Sequence, residues 1–191
     1  MNVAILSGSS RKNNNTVRVA KALSLLHTKA GDTSHVVDFQ NYDLPFFNGD
    51  ALDEDNPSPF QKELIETWKD ADLVYILSPE YNWLVSPELS NMTNHYSGKQ
   101  HAFLYKDKVF AFVGVSTGIG GRLPTMQLSS VFEKLIFFLR QHSVCSPNKF
   151  ESHYTHLELD KDGHFLRDQG YEQRMQYFVD YCSELCLRFK P

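Results

Sequence analysis

Asn2-Val-Ala-Ile-Leu6 runs straight into Ser7-Gly-Ser-Ser-Arg-Lys-Asn-Asn-Asn-Thr16, and Thr16 opens a stretch with Val17, Val19, Ala20, Leu23, Leu26 and Ala30 at helical spacing before Gly31. The apolar run has no polar alternation, which marks a strand covered on both faces. The periodic stretch marks a helix with one buried stripe, stopped by a glycine. The residues between them are first small and then polar, and they turn the chain from strand to helix. Strand, tight polar loop and helix, in that order, make the first half of a β-α-β crossover.

The alternation continues outward from this unit. Ser34 to Phe39 reads as a second strand, and Tyr42 to Pro59, with Pro45, Gly49, Pro57 and Pro59, as a long polar connection. Phe60 to Lys69 is helical, Leu73-Val-Tyr-Ile-Leu77 is a third strand, and a short helix follows near Pro87 to Tyr96. Lys108 to Val115 is a fourth buried strand, Leu123 to Gln141 a long helix that tolerates Pro124 in its first turn, and His142 to Cys145 a weak fifth strand. His153 to Arg167 reads as an edge hairpin turning at Asp160-Lys-Asp-Gly163. Tyr171 to Phe189 is an amphipathic helix, for which a place in the core and a place at a subunit interface both stay open. Five strands alternating with helices imply an α/β doubly wound parallel sheet of the flavodoxin type, strand order 2-1-3-4-5. Residues 1–191 are expected to form one domain, since no repeat or low-complexity tract divides them.

Composition narrows the function. A formal net charge of -4 argues against a nucleic-acid partner, which calls for a basic face. No segment approaches the roughly 18–20 apolar residues that span a bilayer, and the first residues lack a basic leader. The expectation is a cytoplasmic protein with no membrane partner. Cys145, Cys182 and Cys186 form an odd set without a disulfide-framework spacing, which fits reduced thiols. Cys182 and Cys186 share a helix face, as a redox pair would, but small buried hydrophobes are the simpler reading. His153, His156 and His164 raise the question of a metal. An extended segment would put His153 and His156 on opposite faces, so no metal site is expected.

In open α/β sheets, ligands bind beyond the carboxyl ends of the strands. Three loops leaving that edge are unusual. Ser7 to Thr16 offers backbone amides at a helix start, side-chain donors on Ser9, Asn14, Asn15 and Thr16, and the planar guanidinium of Arg11. These suit a phosphate, although helix capping and a surface arginine would look the same. The loop has neither the Gly-Lys-Ser/Thr ending of a nucleotide-triphosphate loop nor Gly-x-Gly-x-x-Gly. Ser78-Pro-Glu-Tyr-Asn82 brings a tyrosine that could lie along a flat heteroaromatic ring or simply close the core. Ser116-Thr-Gly-Ile-Gly-Gly121 lets backbone approach a ligand closely, or is a flexible turn.

Together, Gly-Ser-Ser-Arg11, Ser-Pro-Glu-Tyr-Asn82 and Val-Ser-Thr-Gly-Ile-Gly-Gly121 resemble the NAD(P)H-dependent FMN reductase family, with its quinone, azo-dye and chromate reductases. The resemblance spans roughly Val3 to Leu139, and Leu89-Ser-Asn91 falls where the family usually has Leu-Lys-Asn. It implies that Ser9 and Arg11 hold the FMN phosphate with Asn14, Asn15 and Thr16. Pro79, Glu80, Tyr81 and Asn82 would lie along the ribityl chain and isoalloxazine. Ser116, Thr117 and Gly118 would meet the polar edge of the ring, with Gly121 leaving room. The chain departs from the pattern at Asn14, where Ser is frequent, at Pro87, one residue later than usual, and at Ser90 and Asn94, which replace Lys and Asp.

The implied chemistry is hydride transfer from NADH or NADPH to FMN and on to a flavin, quinone or similar small-molecule acceptor, with ping-pong kinetics. The flavin carries this reaction, so no catalytic side chain is assigned. The resemblance further implies a homodimer or homotetramer. Two other functions compete: a flavodoxin-like electron carrier without its own substrate, and a scaffold that has lost its flavin. His95 and Tyr96 are read either as bordering the acceptor pocket or as lying at a subunit interface.

Overall fold

Four long strands, β1 (Asn2–Ser7), β2 (Thr33–Asp38), β3 (Leu73–Pro79) and β4 (Val109–Val115), run parallel in the order β2-β1-β3-β4. The structure is a computed structural model and describes residues 1–167 and 169–189. Val3 pairs with both Ser34 and Leu73, and Leu73 pairs with Val109, so the strands start level at one edge. β3 and β4 are buried at every position, the reason their sequences do not alternate.

Alternate side chains nevertheless serve different layers. Val3, Ile5, Tyr75, Leu77, Ala111 and Val113 pack on one side against α1 (Asn15–Lys29) and the long C-terminal helix Gln169–Phe189. Ala4, Leu6, Val74, Ile76, Phe110 and Phe112 pack on the other against α2 (Pro59–Lys69), α3 (Pro87–His95) and α4 (Arg122–Phe138). The doubly wound sheet expected from the sequence is present. The C-terminal helix packs into the core through Met175, Phe178, Val179, Cys182 and Cys186. None of the three cysteines forms a disulfide, and Cys182 and Cys186 fill the core as small apolar groups.

The fifth strand differs from expectation. It is split into β5 (Val144–Cys145) and β6 (Phe150–Ser152), which both pair in parallel with β4, at Val109–Phe110 and at Val113–Val115. Ser146-Pro-Asn-Lys149 bulges out between them, where proline cannot continue a ladder. The expected hairpin from His153 to Arg167 shrinks to a single antiparallel bridge between Leu159 and Phe165. The turn does fall at Asp160–Gly163, held by the Asp160 carboxylate accepting from the Asp162 and His164 amides. Upstream, Thr155 donates its hydroxyl to the Ser116 and Ser152 carbonyls and starts one helical turn, α5 (Thr155–Glu158). His156 is therefore helical and exposed rather than extended, and His153 meets Glu151 instead. With these labels the C-terminal helix is α6. Among the described residues, no cluster of three or more His, Cys, Asp or Glu is placed to hold a metal. Among them, too, no helix is long and apolar enough to cross a membrane.

The long connection after β2 is pinned to α3. Asn91 donates to the Tyr42 hydroxyl (2.7 Å) and the Pro45 carbonyl (2.7 Å), and accepts from the Phe47 amide (2.7 Å). His95 completes the clasp by bonding the Pro45 carbonyl at 2.9 Å and meeting Phe47 edge-on. Tyr96 is buried against His101. Both residues thus build the fold.

Candidate functional site

β1 and β3 are neighbours, yet the helix after β1 lies on one side of the sheet and the helix after β3 on the other. The chain parts at their carboxyl ends, where open α/β sheets bind ligands. A cavity of about 270 Å³ lies there, lined by residues of all three unusual loops. They are Ser9, Arg11 and the run Lys12 to Thr16 from the first, Pro79, Glu80 and Tyr81 from the second, and Val115, Ser116 and Thr117 from the third.

The first loop is shaped largely by its own side chains. Gly8 lacks a side chain because an added Cβ would lie 2.4 Å from Leu89 and 2.7 Å from the Leu77 carbonyl. Ser86, the N-cap of α3, donates to the Gly8 carbonyl at 2.7 Å, and Ser10 bonds the Glu88 carboxylate. Asn14 caps α1 by accepting from the Val17 amide (2.8 Å) and donating to the Arg11 (2.7 Å) and Ser9 (3.3 Å) carbonyls. Its amide donors are thereby turned into the loop, while the residue itself lines the cavity. What remains open is the helix start: the backbone amides of Asn15 and Thr16 have no bond to the described residues, as the first turn of a helix leaves them. Arg11 is exposed, with its guanidinium 4.1 Å from the centre of the Tyr81 ring. Tyr81 in turn bonds the buried Ser9 hydroxyl at 3.0 Å. One ring face of Tyr81 is therefore taken by Arg11, and its hydroxyl ties the second loop to the first.

The second and third loops are locked by close backbone approach. Glu80 accepts from the Gly121 amide at 2.6 Å, and a Cβ on Gly120 would lie 2.3 Å from its other oxygen. Gly121 has φ +104° and its backbone presses on β4: a Cβ on Gly114 would fall 2.0 Å from the Gly121 carbonyl oxygen. The room that Gly121 leaves is thus taken up by Gly114. Ser116 accepts from the Gly118 amide at 3.2 Å, and Gly118 accepts from the Tyr154 amide at 3.0 Å. Asn82 and Trp83 both have left-handed backbone, φ +50° and +63°, in a tight turn closed by reciprocal bonds between Tyr81 and Leu84. Asn82, Gly118 and Gly121 lie in the loops without lining the cavity; the other ten expected residues line it.

A family model described as NADPH-dependent FMN reductase matches residues 1–150. The chain belongs to this family. Membership brings FMN as the cofactor and NAD(P)H as the co-substrate. A probable NADPH:quinone oxidoreductase 2 of Oryza sativa subsp. japonica is 28% identical over 171 residues, covering 87% of this chain and 79% of the relative. An NAD(P)H:quinone oxidoreductase of Solanum tuberosum is 26% identical over 148 residues, covering 77% and 73%. Among solved structures, the flavoenzyme NAD(P)H:(acceptor) oxidoreductase FerB from Paracoccus denitrificans superposes with a TM-score of 0.78 at 22% identity, covering 98% of this chain and 97% of that one. An archaeal flavodoxin shares the fold at a TM-score of 0.58 and 11% identity.

As in an FMN reductase, the residues present fit the anionic end of the cofactor. Two unbonded helix-start amides, a buried serine hydroxyl and an exposed guanidinium line one cavity, and the one carboxylate in its lining is bonded to Gly121. Sequence reading missed Lys12, Asn13 and Val115 in the lining, and the bracing roles of Gly8, Ser86 and Gly114. Ser86 before Pro87 is a legible cap signal. The glycine pair Gly114–Gly121 is not, because its members meet only once β4 and the third loop are folded.

Proposed function

We propose that this single-domain chain is an FMN-dependent oxidoreductase that takes a hydride from NADH or NADPH and reduces a flavin, quinone or similar small acceptor. The observation that carries the reading is the cavity at the β1/β3 parting, where a helix start and Arg11 meet two further loops braced by Tyr81 and Glu80. Ser9, Arg11 and the Asn15 and Thr16 amides would hold the phosphate, as charge-assisted bonds and a helix N-terminus favour. Pro79, Glu80 and Tyr81 would flank the ribityl chain and the near edge of the ring. Ser116 and Thr117 would meet its polar edge. When bound, FMN supplies the two-electron redox chemistry. The chain's own contribution is to hold the cofactor at the mouth of the cavity. The quinone-reducing names of the rice and potato relatives support a planar acceptor.

One mouth serves both reactants in turn, so ping-pong kinetics follow. A homo-oligomer in a reducing compartment such as the cytoplasm, in keeping with three cysteines outside any disulfide, completes the reading. The test is an absorbance spectrum of protein loaded with FMN, followed by anaerobic titration with NADH and NADPH and initial rates at varied acceptor. Flavin bleaching with parallel double-reciprocal lines is the expected result. A yellow protein that oxidises neither nicotinamide would instead be an electron carrier, and failure to bind FMN would overturn the reading altogether.

A further inference from the structure

The chain has two tryptophans, and they are placed oppositely. Trp68 is fully buried and packs on Tyr105, Phe110 and Phe132. Trp83 is 68% exposed at the tip of the turn that follows the cavity-lining Tyr81, with φ +63°. A bulky side chain in left-handed backbone is an outlier that costs free energy, and this turn type favours Asn-Gly at its two central positions. Here the second position holds Trp, and most of its ring stays in water. Neither backbone preference nor burial accounts for that choice.

The neighbouring loop repeats the pattern. Ile119, at the tip of the third loop, is 77% exposed. The two loops are joined by the Glu80–Gly121 bond, and each tip lies two residues beyond a cavity-lining one, Trp83 after Tyr81 and Ile119 after Thr117. Exposed apolar side chains next to a cavity whose lining also carries Pro79, Tyr81 and Val115 match a reactant that is flat and uncharged.

We propose that Trp83, with Ile119, forms an aromatic and apolar rim that binds planar, uncharged ring acceptors, making Trp83 a specificity-determining residue. This rests on the FMN reading above. It names the acceptor class by surface chemistry: an aromatic ring stacked or set edge-on against the indole.

The test compares wild type, Trp83→Gly and Trp83→Tyr with two acceptors, 1,4-naphthoquinone, which is flat and neutral, and ferricyanide, which is neither. In FMN-loaded protein, Trp83→Gly should raise KM for the naphthoquinone about three- to tenfold, the loss expected for one aromatic contact. It should leave ferricyanide kinetics and FMN affinity unchanged. Trp83→Tyr keeps a ring and should recover KM to within about twofold of wild type. Glycine accepts the left-handed backbone, so the denaturation midpoint of Trp83→Gly should hold or rise, which separates loss of the ring from loss of the fold. A second readout needs no turnover: naphthoquinone added without reductant should quench the exposed Trp83 emission of the wild type saturably, whereas collision alone gives quenching that rises linearly with concentration. Equal KM values in wild type and Trp83→Gly, with quenching linear in concentration, would overturn the proposal. So would weakened FMN binding with KM unmoved, which would give Trp83 to the flavin ring, or lost self-association with KM unmoved, which would give it to a second copy of the chain. Wild-type protein that shows no flavin spectrum with added FMN would sink the underlying site reading, and that failure is seen before any variant is compared.

Discussion

The two ends of the sheet treat polar groups in opposite ways. At the amino end several are tied into bonds. Lys108, 3% exposed, donates to the carbonyls of Lys69 (2.8 Å) and Ala71 (2.7 Å), where α2 stops. The Asp72 carboxylate accepts from the Asn2 amide at 2.9 Å, and buried His27 bridges Asp32 (2.8 Å) and the Tyr75 hydroxyl (3.0 Å). At the carboxyl end, the helix-start amides of α1 and the guanidinium of Arg11 stay open, while Asn14, Ser86 and Glu80 spend their bonds on the loops themselves. Closed networks hold the layers together; braced loops with open donors are ready for a ligand. The same contrast divides stability from binding, and single substitutions can separate them.

The largest effect is expected where the brace has no slack. Gly114→Ala would drive a methyl to 2.0 Å from the Gly121 carbonyl, and backbone on both sides cannot swing away. Destabilisation of about 4 kcal/mol or more should follow, read as a fall in the urea midpoint. Gly118 is the control in the third loop: an added Cβ there meets nothing within 4 Å, and Gly118→Ala should leave the midpoint within about 0.5 kcal/mol of wild type or slightly above. Equal losses at the two glycines would show that the tight backbone contact does not govern this end.

Arg11→Ala should act on the ligand and not on the fold. Arg11 is exposed, and its guanidinium lies over the Tyr81 ring. Loss of a charge-assisted bond to phosphate should weaken FMN binding by about 1.5–3 kcal/mol, roughly ten- to 150-fold, with an unchanged midpoint. Unaltered FMN affinity in a fluorescence titration would remove Arg11 from the site.

Asn14→Ala reverses that pattern in a milder form. Removing the α1 cap should cost about 1 kcal/mol of stability. FMN affinity should fall only as far as the loop loosens, by less than in Arg11→Ala. A larger loss of affinity than in Arg11→Ala would make Asn14 a direct donor.

The sequence made the sheet legible because β1, β3 and β4 are unbroken apolar runs, and burial on both faces leaves no other pattern. The three loops were legible as a group, since they follow those strands. The finer assignments within them were not. Asn14 is a plausible phosphate donor by type, and only its three bonds show that it faces inward. Gly121 looks like a place for a ligand until Gly114 is found against it. Two-residue β5 and three-residue β6 are too short to carry any period, and α5 exists because Thr155 finds the Ser116 carbonyl 39 positions away in sequence.

The smallest expected effect tests the closed end. Burial disfavours the charged imidazole of His27 and lowers its pKa below the usual 6.5, against the opposing pull of Asp32. The Met1 amino group also opposes protonation, and Asp180 favours it weakly. In the unfolded chain the imidazole takes its proton near the ordinary value, so between that pH and the lower folded value the unfolded state binds more protons. Stability should therefore be complete above about pH 6.5 and decline as the pH falls below it. His101, whose pKa burial also lowers despite Glu54 at 3.0 Å, works in the same direction. Midpoints of the FMN-free protein measured from pH 7.5 to 5 should fall with acid, and His27→Gln should flatten part of that slope and leave the His101 share. A wild-type slope unchanged by His27→Gln would mean that the network around His27 keeps its bonds in either charge state, and that the closed end is less tightly set than its geometry implies.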